Sequence, residues 1–199
     1  MVLRKNLKKK FALISVFEKK NLKYLCSNLN KFNYSFLSSG STGNKIRELG
    51  FKCKDISKLT NFKEMFGGRV KTLNPLIYSS LLYIRDNKIH KKQFQLLNMP
   101  EIDIVIVNLY PFKKYLKKNN SDYIIEMIDI GGPSLLRAAG KNFKYITPIA
   151  EIMDYKKLVT NLRKNKGTTD ILFRKKMAFK VFNRTAQYDK IIANWLNEK

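Results

Sequence analysis

The chain has 199 residues, 44% of them hydrophobic and 12% aromatic, and its 40 Lys and Arg outnumber 15 Asp and Glu for a formal net charge of +25. That length fits one globular domain over 1–199, and that apolar content fills a core, which excludes disorder as the main state despite the charge. Two cysteines without a CxxC pair and a single histidine, His90, offer no ligand set for structural zinc or an iron–sulfur cluster, and no disulfide scaffold.

A reducing, cytoplasmic setting is the expectation from the cysteines. No apolar run reaches the roughly 20 residues of a membrane span. Arg4, Lys5, Lys8, Lys9 and Lys10 precede the apolar run FALISVF in the manner of a signal peptide, with residues 1–10 a basic extension. That run passes into Glu18-Lys19-Lys20 without a small-residue cleavage site, so a buried strand is expected instead. The remaining lysines are scattered where helices face solvent, and the chain is rich in Asn, Ile, Phe and Tyr. Codon bias toward A/T accounts for this pattern, so nucleic acid is not the expected partner. The field still attracts small anions.

In chain order, residues 11–16 read as a strand and a helix runs through about Leu29. Residues 34–38 form a second strand, ending in Ser39-Gly40-Ser41-Thr42-Gly43, with a short helix over 43–49 stopped by Gly50. Phe51–Ile56 suits a third strand, and 57–75 a long loop around Gly67-Gly68. Helical patterns fill 76–98. Residues 102–107 (IDIVIV) form the clearest strand, β-branched and suited to burial on both faces. A helix near 121–128 leads to Asp129-Ile130-Gly131-Gly132-Pro133, which starts another helix through about Lys141. A strand near 144–149 and two helices follow. Alternating strands and helices predict an α/β fold: a parallel sheet with helices on both faces, three layers in all, binding ligands at the carboxyl ends of its strands.

Those ends collect polar groups. The Ser39-Gly40-Ser41-Thr42 turn suits either an ordinary helix cap or an anion site at a helix start. Arg69 and Lys71 share one side of an extended segment and, with Thr72, suit either one phosphate or a solvated basic loop. Ser15, Lys19, Asn108 and Tyr110 sit at strand ends. Asp129 suits a helix cap or a buried acid, and His90 carries no assigned role.

Taken together, ALISVFEKK at 12–20, SSGST at 38–42, GGRVKTLNP at 67–75, IVNLYPF at 106–112, IDIGGPSLLRAAGKN at 128–142 and FNRTAQYDKIIANWL at 182–196 resemble the inosine monophosphate cyclohydrolase domain of the bifunctional purine-biosynthesis family. The resemblance implies a methylglyoxal-synthase-like fold. It also implies closure of 5-formamidoimidazole-4-carboxamide ribotide to inosine monophosphate with loss of water, and neither metal nor organic cofactor. By motif it assigns catalysis to Lys71, Tyr110, Asp129 and Lys141. It assigns phosphate and ribose contacts to Ser15, Lys19, Ser39, Thr42, Arg69 and Thr72, and the base pocket to Asn108, Gly131 and Gly132.

The chemistry explains the residue types. A carboxamide nitrogen is a poor nucleophile and a formamide carbon a poor electrophile, so an enzyme holds the folded conformer, removes a proton and stabilises an oxyanion. Asp129 paired with Lys141 is expected to take the amide proton, and Lys71, Tyr110 and the Gly-Gly amides to stabilise the oxyanion. Arg69 is expected to lower the Lys71 pKa.

Ser41, Asn74 and the stretch Leu76-Ile77-Tyr78-Ser79-Ser80 depart from the family pattern, which bears on loop packing near the substrate. The formyltransferase domain that usually follows does not occur within the 199 residues, so formyl transfer is not expected of this chain and a separate formyltransferase chain is a candidate partner. The family forms dimers when both domains are present, which leaves a homodimer open here. Alternatives are a catalytically weakened or non-enzymatic nucleotide-binding remnant, and methylglyoxal synthase itself.

Overall fold

The computed structural model of the chain describes residues 9–116 and 120–197, so most of the basic segment at 1–10 lies outside the described residues. The apolar run forms β1 (Lys10–Val16), and the amphipathic stretch after it forms α1 (Leu22–Lys31). Next come β2 (Tyr34–Ser38) and α2 (Gly40–Glu48), whose first turn takes in the Gly40-Ser41-Thr42 stretch that was expected to precede the helix. A short β3 (Cys53–Asp55) runs into α3 (Ile56–Thr60), where the Asp55 carboxylate accepts the Ser57 N–H at 2.9 Å.

The helical stretch expected over 76–98 is two helices, α4 (Pro75–Leu82) and α5 (Lys88–Leu96). Asn87 divides them, because its side-chain oxygen accepts the N–H groups of Ile89 and His90 and starts a new helix. His90 in turn accepts the Ile84 N–H through Nδ1 at 3.1 Å, a local structural role. Beyond them lie β4 (Ile102–Asn108), α6 (Phe112–Tyr115), α7 (Ser121–Glu126), α8 (Gly131–Lys141) and β5 (Thr147–Ile149). The last helices are α9 (Tyr155–Lys164) and the 27-residue α10 (Ile171–Asn197).

Among the described residues the strands form one parallel sheet in the order β3-β2-β1-β4-β5. Both faces are buried, as the unbroken apolar runs require. Phe11, Leu13, Val105 and Val107 pack on one side against residues of α4, α5, α8 and α10. Ala12, Ile14, Val16, Ile104 and Ile106 pack on the other against α1, α2 and α9. Pro148 is tolerated because β5 is an edge strand, and α10 lies along that edge. No described helix is long and apolar enough to cross a membrane.

The chain leaves β1 toward β2 on one side and returns to β4 on the other, so a crevice opens at the carboxyl ends of β1 and β4. The register that fixes this pair contains a bulge: Phe11 faces Ile102, but Ala12 faces Ile104. Asp103, the extra residue, accepts the Phe11 N–H at 3.1 Å and receives Arg85 at 2.9 Å, while Arg85 also donates to the Ile102 carbonyl at 2.8 Å. Both side chains of this pair are largely shielded, and removing the carboxylate leaves the Phe11 N–H without its partner and Arg85 with one fewer. Asp103→Ala is expected to cost about 1–3 kcal/mol in urea unfolding without changing the denaturant slope. A loss under about 0.5 kcal/mol would show that the bulge does not depend on this carboxylate.

Candidate active site

A cavity of about 860 Å³ fills the crevice. Ser15 and Lys19 reach it from the end of β1, Ser39 and Thr42 from the start of α2, and Asn108 and Tyr110 from the end of β4. Arg69, Lys71 and Thr72 come from the loop before α4, and Asp129, Gly131 and Gly132 from the start of α8. Twelve of the thirteen residues singled out from sequence therefore share one hollow.

Several of them build the wall with the same groups expected to touch substrate. The Thr42 hydroxyl donates to the Val16 carbonyl at 2.9 Å and accepts the Val16 N–H at 3.2 Å, which spends it on the end of β1. The Asn108 side chain accepts the Glu18 N–H at 3.0 Å and donates to the Glu18 carbonyl at 2.9 Å, fastening the turn after β1 rather than presenting its amide to a base. Lys19 donates to the Val16 and Phe17 carbonyls at 2.8 and 2.9 Å and to the Ser41 hydroxyl at 3.2 Å. Ser41 and Asn74, both departures from the family pattern, thus have local work: Ser41 meets Lys19, and Asn74 caps α4 by accepting the Leu76 N–H at 2.9 Å. Burial holds the Lys19 pKa below its ordinary value.

The cationic loop is shaped by a reversal in which Met65 and Val70 exchange backbone hydrogen bonds at 3.0 and 3.3 Å. Phe66, Gly67 and Gly68 all take positive φ there, at 53°, 63° and 95°, which favours the paired glycines. Arg69 is gripped by Glu126 through both Nε and Nη2, and Lys71 pairs with Glu64 at 2.8 Å. Arg69 is therefore neutralised by a carboxylate of its own rather than acting as an unopposed charge beside Lys71. Sequence reasoning missed Glu64 and Glu126, because a lone acid in a lysine-rich chain carries no spacing signal. Close approach is also needed at Gly40: a Cβ there would sit 2.5 Å from the Lys71 Nζ.

Asp129 sits just before α8. Its carboxylate accepts the Gly132 N–H at 2.8 Å, while its own N–H donates to the Tyr188 hydroxyl at 2.8 Å, which in turn donates to the Met127 carbonyl at 3.2 Å. A side chain at Gly132 is excluded, since its Cβ would lie 2.3 Å from Asp129 Oδ2. Burial pushes the Asp129 pKa up, and the Gly132 hydrogen bond opposes this without cancelling it. Burial also raises the Tyr110 pKa; the Asp129 charge adds to the rise and the Lys71 charge works against it. Tyr188 was quoted in the FNRTAQYDK stretch of the resemblance but given no role.

Lys141 does not join the others. It is exposed at the last turn of α8, ten residues from Gly131, or roughly 15 Å at the helical rise of 1.5 Å per residue. The expected pairing of Lys141 with Asp129 is absent among the described residues, because Asp129 precedes the start of α8 and Lys141 ends it.

A family model described as MGS-like domain matches residues 21–134. The chain belongs to the MGS-like domain family. A second model, the AICARFT/IMPCHase bienzyme, matches residues 139–199 of this MGS-like chain. Among curated proteins it is 43% identical over 190 residues to the bifunctional purine biosynthesis protein PurH of Magnetococcus marinus, covering 94% of this chain and 36% of that one. To PurH of Clostridium botulinum it is 44% identical over 191 residues, covering 96% and 38%. The chain thus spans little more than a third of the length of the curated relatives it matches. A crystal structure of ForH superposes with a TM-score of 0.86 at 26% identity, covering 94% of this chain and 97% of that one. The methylglyoxal-synthase-like architecture expected from the motifs is the one found.

Two measurements test this MGS-like site without substrate. Thr42→Val keeps the shape but leaves the buried Val16 N–H without its partner, while Lys19 still serves the Val16 carbonyl, and is expected to cost about 1–3 kcal/mol in urea unfolding. For Asp129, a raised folded-state pKa means that the unfolded chain ionises first, so wild-type stability falls as pH rises from about 4 toward that raised value. Asp129→Asn is therefore expected to melt above wild type at pH 7, and the gap to close at lower pH where both carboxyls are protonated. A wild-type Tm above that of Asp129→Asn at pH 7 would overturn the assignment.

Proposed function

We propose that the chain is an inosine monophosphate cyclohydrolase, closing 5-formamidoimidazole-4-carboxamide ribotide to inosine monophosphate in the last step of purine nucleotide assembly. The observation that carries it is the convergence of Lys71, Tyr110 and Asp129 on one cavity at the strand crossover, between a cationic loop and a helix start. Kinship with the AICARFT/IMPCHase bienzyme and PurH proteins supports the choice of substrate.

Arg69, Thr72 and the amides at the start of α2 bind the ribotide phosphate, which takes the place of Glu126 on the guanidinium. The cavity keeps the formyl group folded over the carboxamide. Asp129 takes one proton from the carboxamide NH₂ as its nitrogen bonds to the formyl carbon. Its raised pKa makes it a stronger base than an ordinary carboxylate. The formyl oxygen becomes an oxyanion that Lys71 and neutral Tyr110 stabilise and protonate. A second proton leaves the formamide nitrogen, the hydroxyl departs as water, and the new C=N bond completes the ring. One oxygen and two hydrogens are lost, as the reaction requires. Within one chain this scheme assigns no step to Lys141.

The purified chain, given the formamido ribotide, is expected to produce inosine monophosphate, seen by its ultraviolet absorbance. Asp129→Asn is expected to lower kcat about 10²–10⁴-fold, and Tyr110→Phe or Lys71→Ala about 10²–10³-fold. Wild-type chain that binds the ribotide without turnover would replace the enzyme reading with a nucleotide-binding one. Near-normal kcat in a variant would remove that residue from the chemistry.

A further inference from the structure

A second cavity, of about 900 Å³, lies on the other side of Phe17 and Asn108, the two residues it shares with the first. It opens beyond the carboxyl ends of β4 and β5, and of its lining residues only Asn108 carries a role assigned from the sequence. Its buried lining is apolar: Leu109, Ala150 and the Tyr155 ring are 5%, 6% and 2% exposed. Phe17 and Tyr24 add partly exposed aromatic surface, and Met153 stands 70% exposed beside them. A soluble surface rarely leaves such a group uncovered without use.

Around this apolar lining stand four cations, Lys20, Lys114, Lys156 and Arg184, from four different elements or turns. Two carboxylates oppose them, Glu18 and Glu151, and Glu151 already faces Lys180 at 3.6 Å. The cavity therefore carries a net positive rim over an apolar interior. The decisive observation is the Tyr155 hydroxyl, which is buried in the lining and has no hydrogen-bond partner. The nearby Asn108 amide makes its hydrogen bonds to the Glu18 backbone. A buried hydroxyl left unpaired is costly, and a polar atom of a bound molecule would satisfy it.

We propose that this second cavity binds a planar organic anion, with its flat apolar body against Phe17, Leu109 and Tyr155 and its charge among Lys156, Arg184 and Lys114. The Tyr155 hydroxyl supplies the one directional contact, a hydrogen bond to an acceptor on the flat body. The site is separate from the first cavity, whose cations all lie beyond the Phe17 and Asn108 wall.

The fluorescent anion 8-anilinonaphthalene-1-sulfonate is the probe, titrated against the full chain. Saturable enhancement at one site per chain is expected. Lys156→Glu with Arg184→Glu is expected to weaken it at least tenfold. Tyr155→Phe is expected to weaken it about threefold to tenfold, while its Tm is equal to or above that of wild type because an unsatisfied group is gone. Lys71→Ala, in the first cavity, is expected to leave binding within twofold, so the result does not depend on the cyclohydrolase proposal. Absence of saturable binding, binding indifferent to the Lys156 and Arg184 changes, or binding lost in Lys71→Ala would each overturn the proposal.

Discussion

Parallel pairing of β1 with β2 on one side and β4 on the other constrains everything else in the molecule. Because β1 is paired on both edges and both faces of the sheet are covered by helices, the crevice opens at its carboxyl end, where the chain diverges. That end must then be closed by side chains. Thr42 ties off Val16, Lys19 caps the Val16 and Phe17 carbonyls, and Asn108 pins Glu18. Thr42, Lys19 and Asn108 thus build the wall of the pocket, and the loop before α4 and the start of α8 overhang it.

The strongly cationic chain does not leave its site an unscreened positive hole. Arg69 and Lys71, the two loop cations, each have a carboxylate partner, and both pairs are substantially exposed, with side-chain accessibilities of 61% and 51% for Arg69 and Glu126 and 32% and 57% for Lys71 and Glu64. Exposed pairs of this kind contribute little net stability and yield readily to a competing anion. The carboxylates hold the loop cations in place without holding them tightly.

Most of the fold was legible because strand and helix signals agreed along the chain: the β-branched run 102–107 and the Gly-Gly-Pro start of α8 fall where the sequence put them. The split between α4 and α5 was less visible, since Asn87 looks like any polar surface residue until its side chain is seen capping. The motifs also brought the correct loops to one cavity. They could not give distances along a helix axis, which is why Lys141 was grouped with Asp129 although α8 carries them at opposite ends. Neither could they reveal Glu64, Glu126 or Tyr188, whose parts depend on loop geometry and on a helix arriving from the far end of the chain.

The position of Asp129 shows how such a site sets stability against reactivity. A carboxylate at a helix start, accepting an amide hydrogen, would ordinarily ionise more easily than free aspartate. Here burial outweighs that help and the carboxyl is harder to ionise, so the folded chain carries a group that would prefer water. Tyr188 prevents relief by backbone movement, because its hydroxyl holds the Asp129 N–H while its ring is buried against Phe112, 6.2 Å between centroids. Gly132 leaves no Cβ to push the carboxyl outward. A carboxylate kept uncomfortable in the resting chain gains most when it takes up a proton.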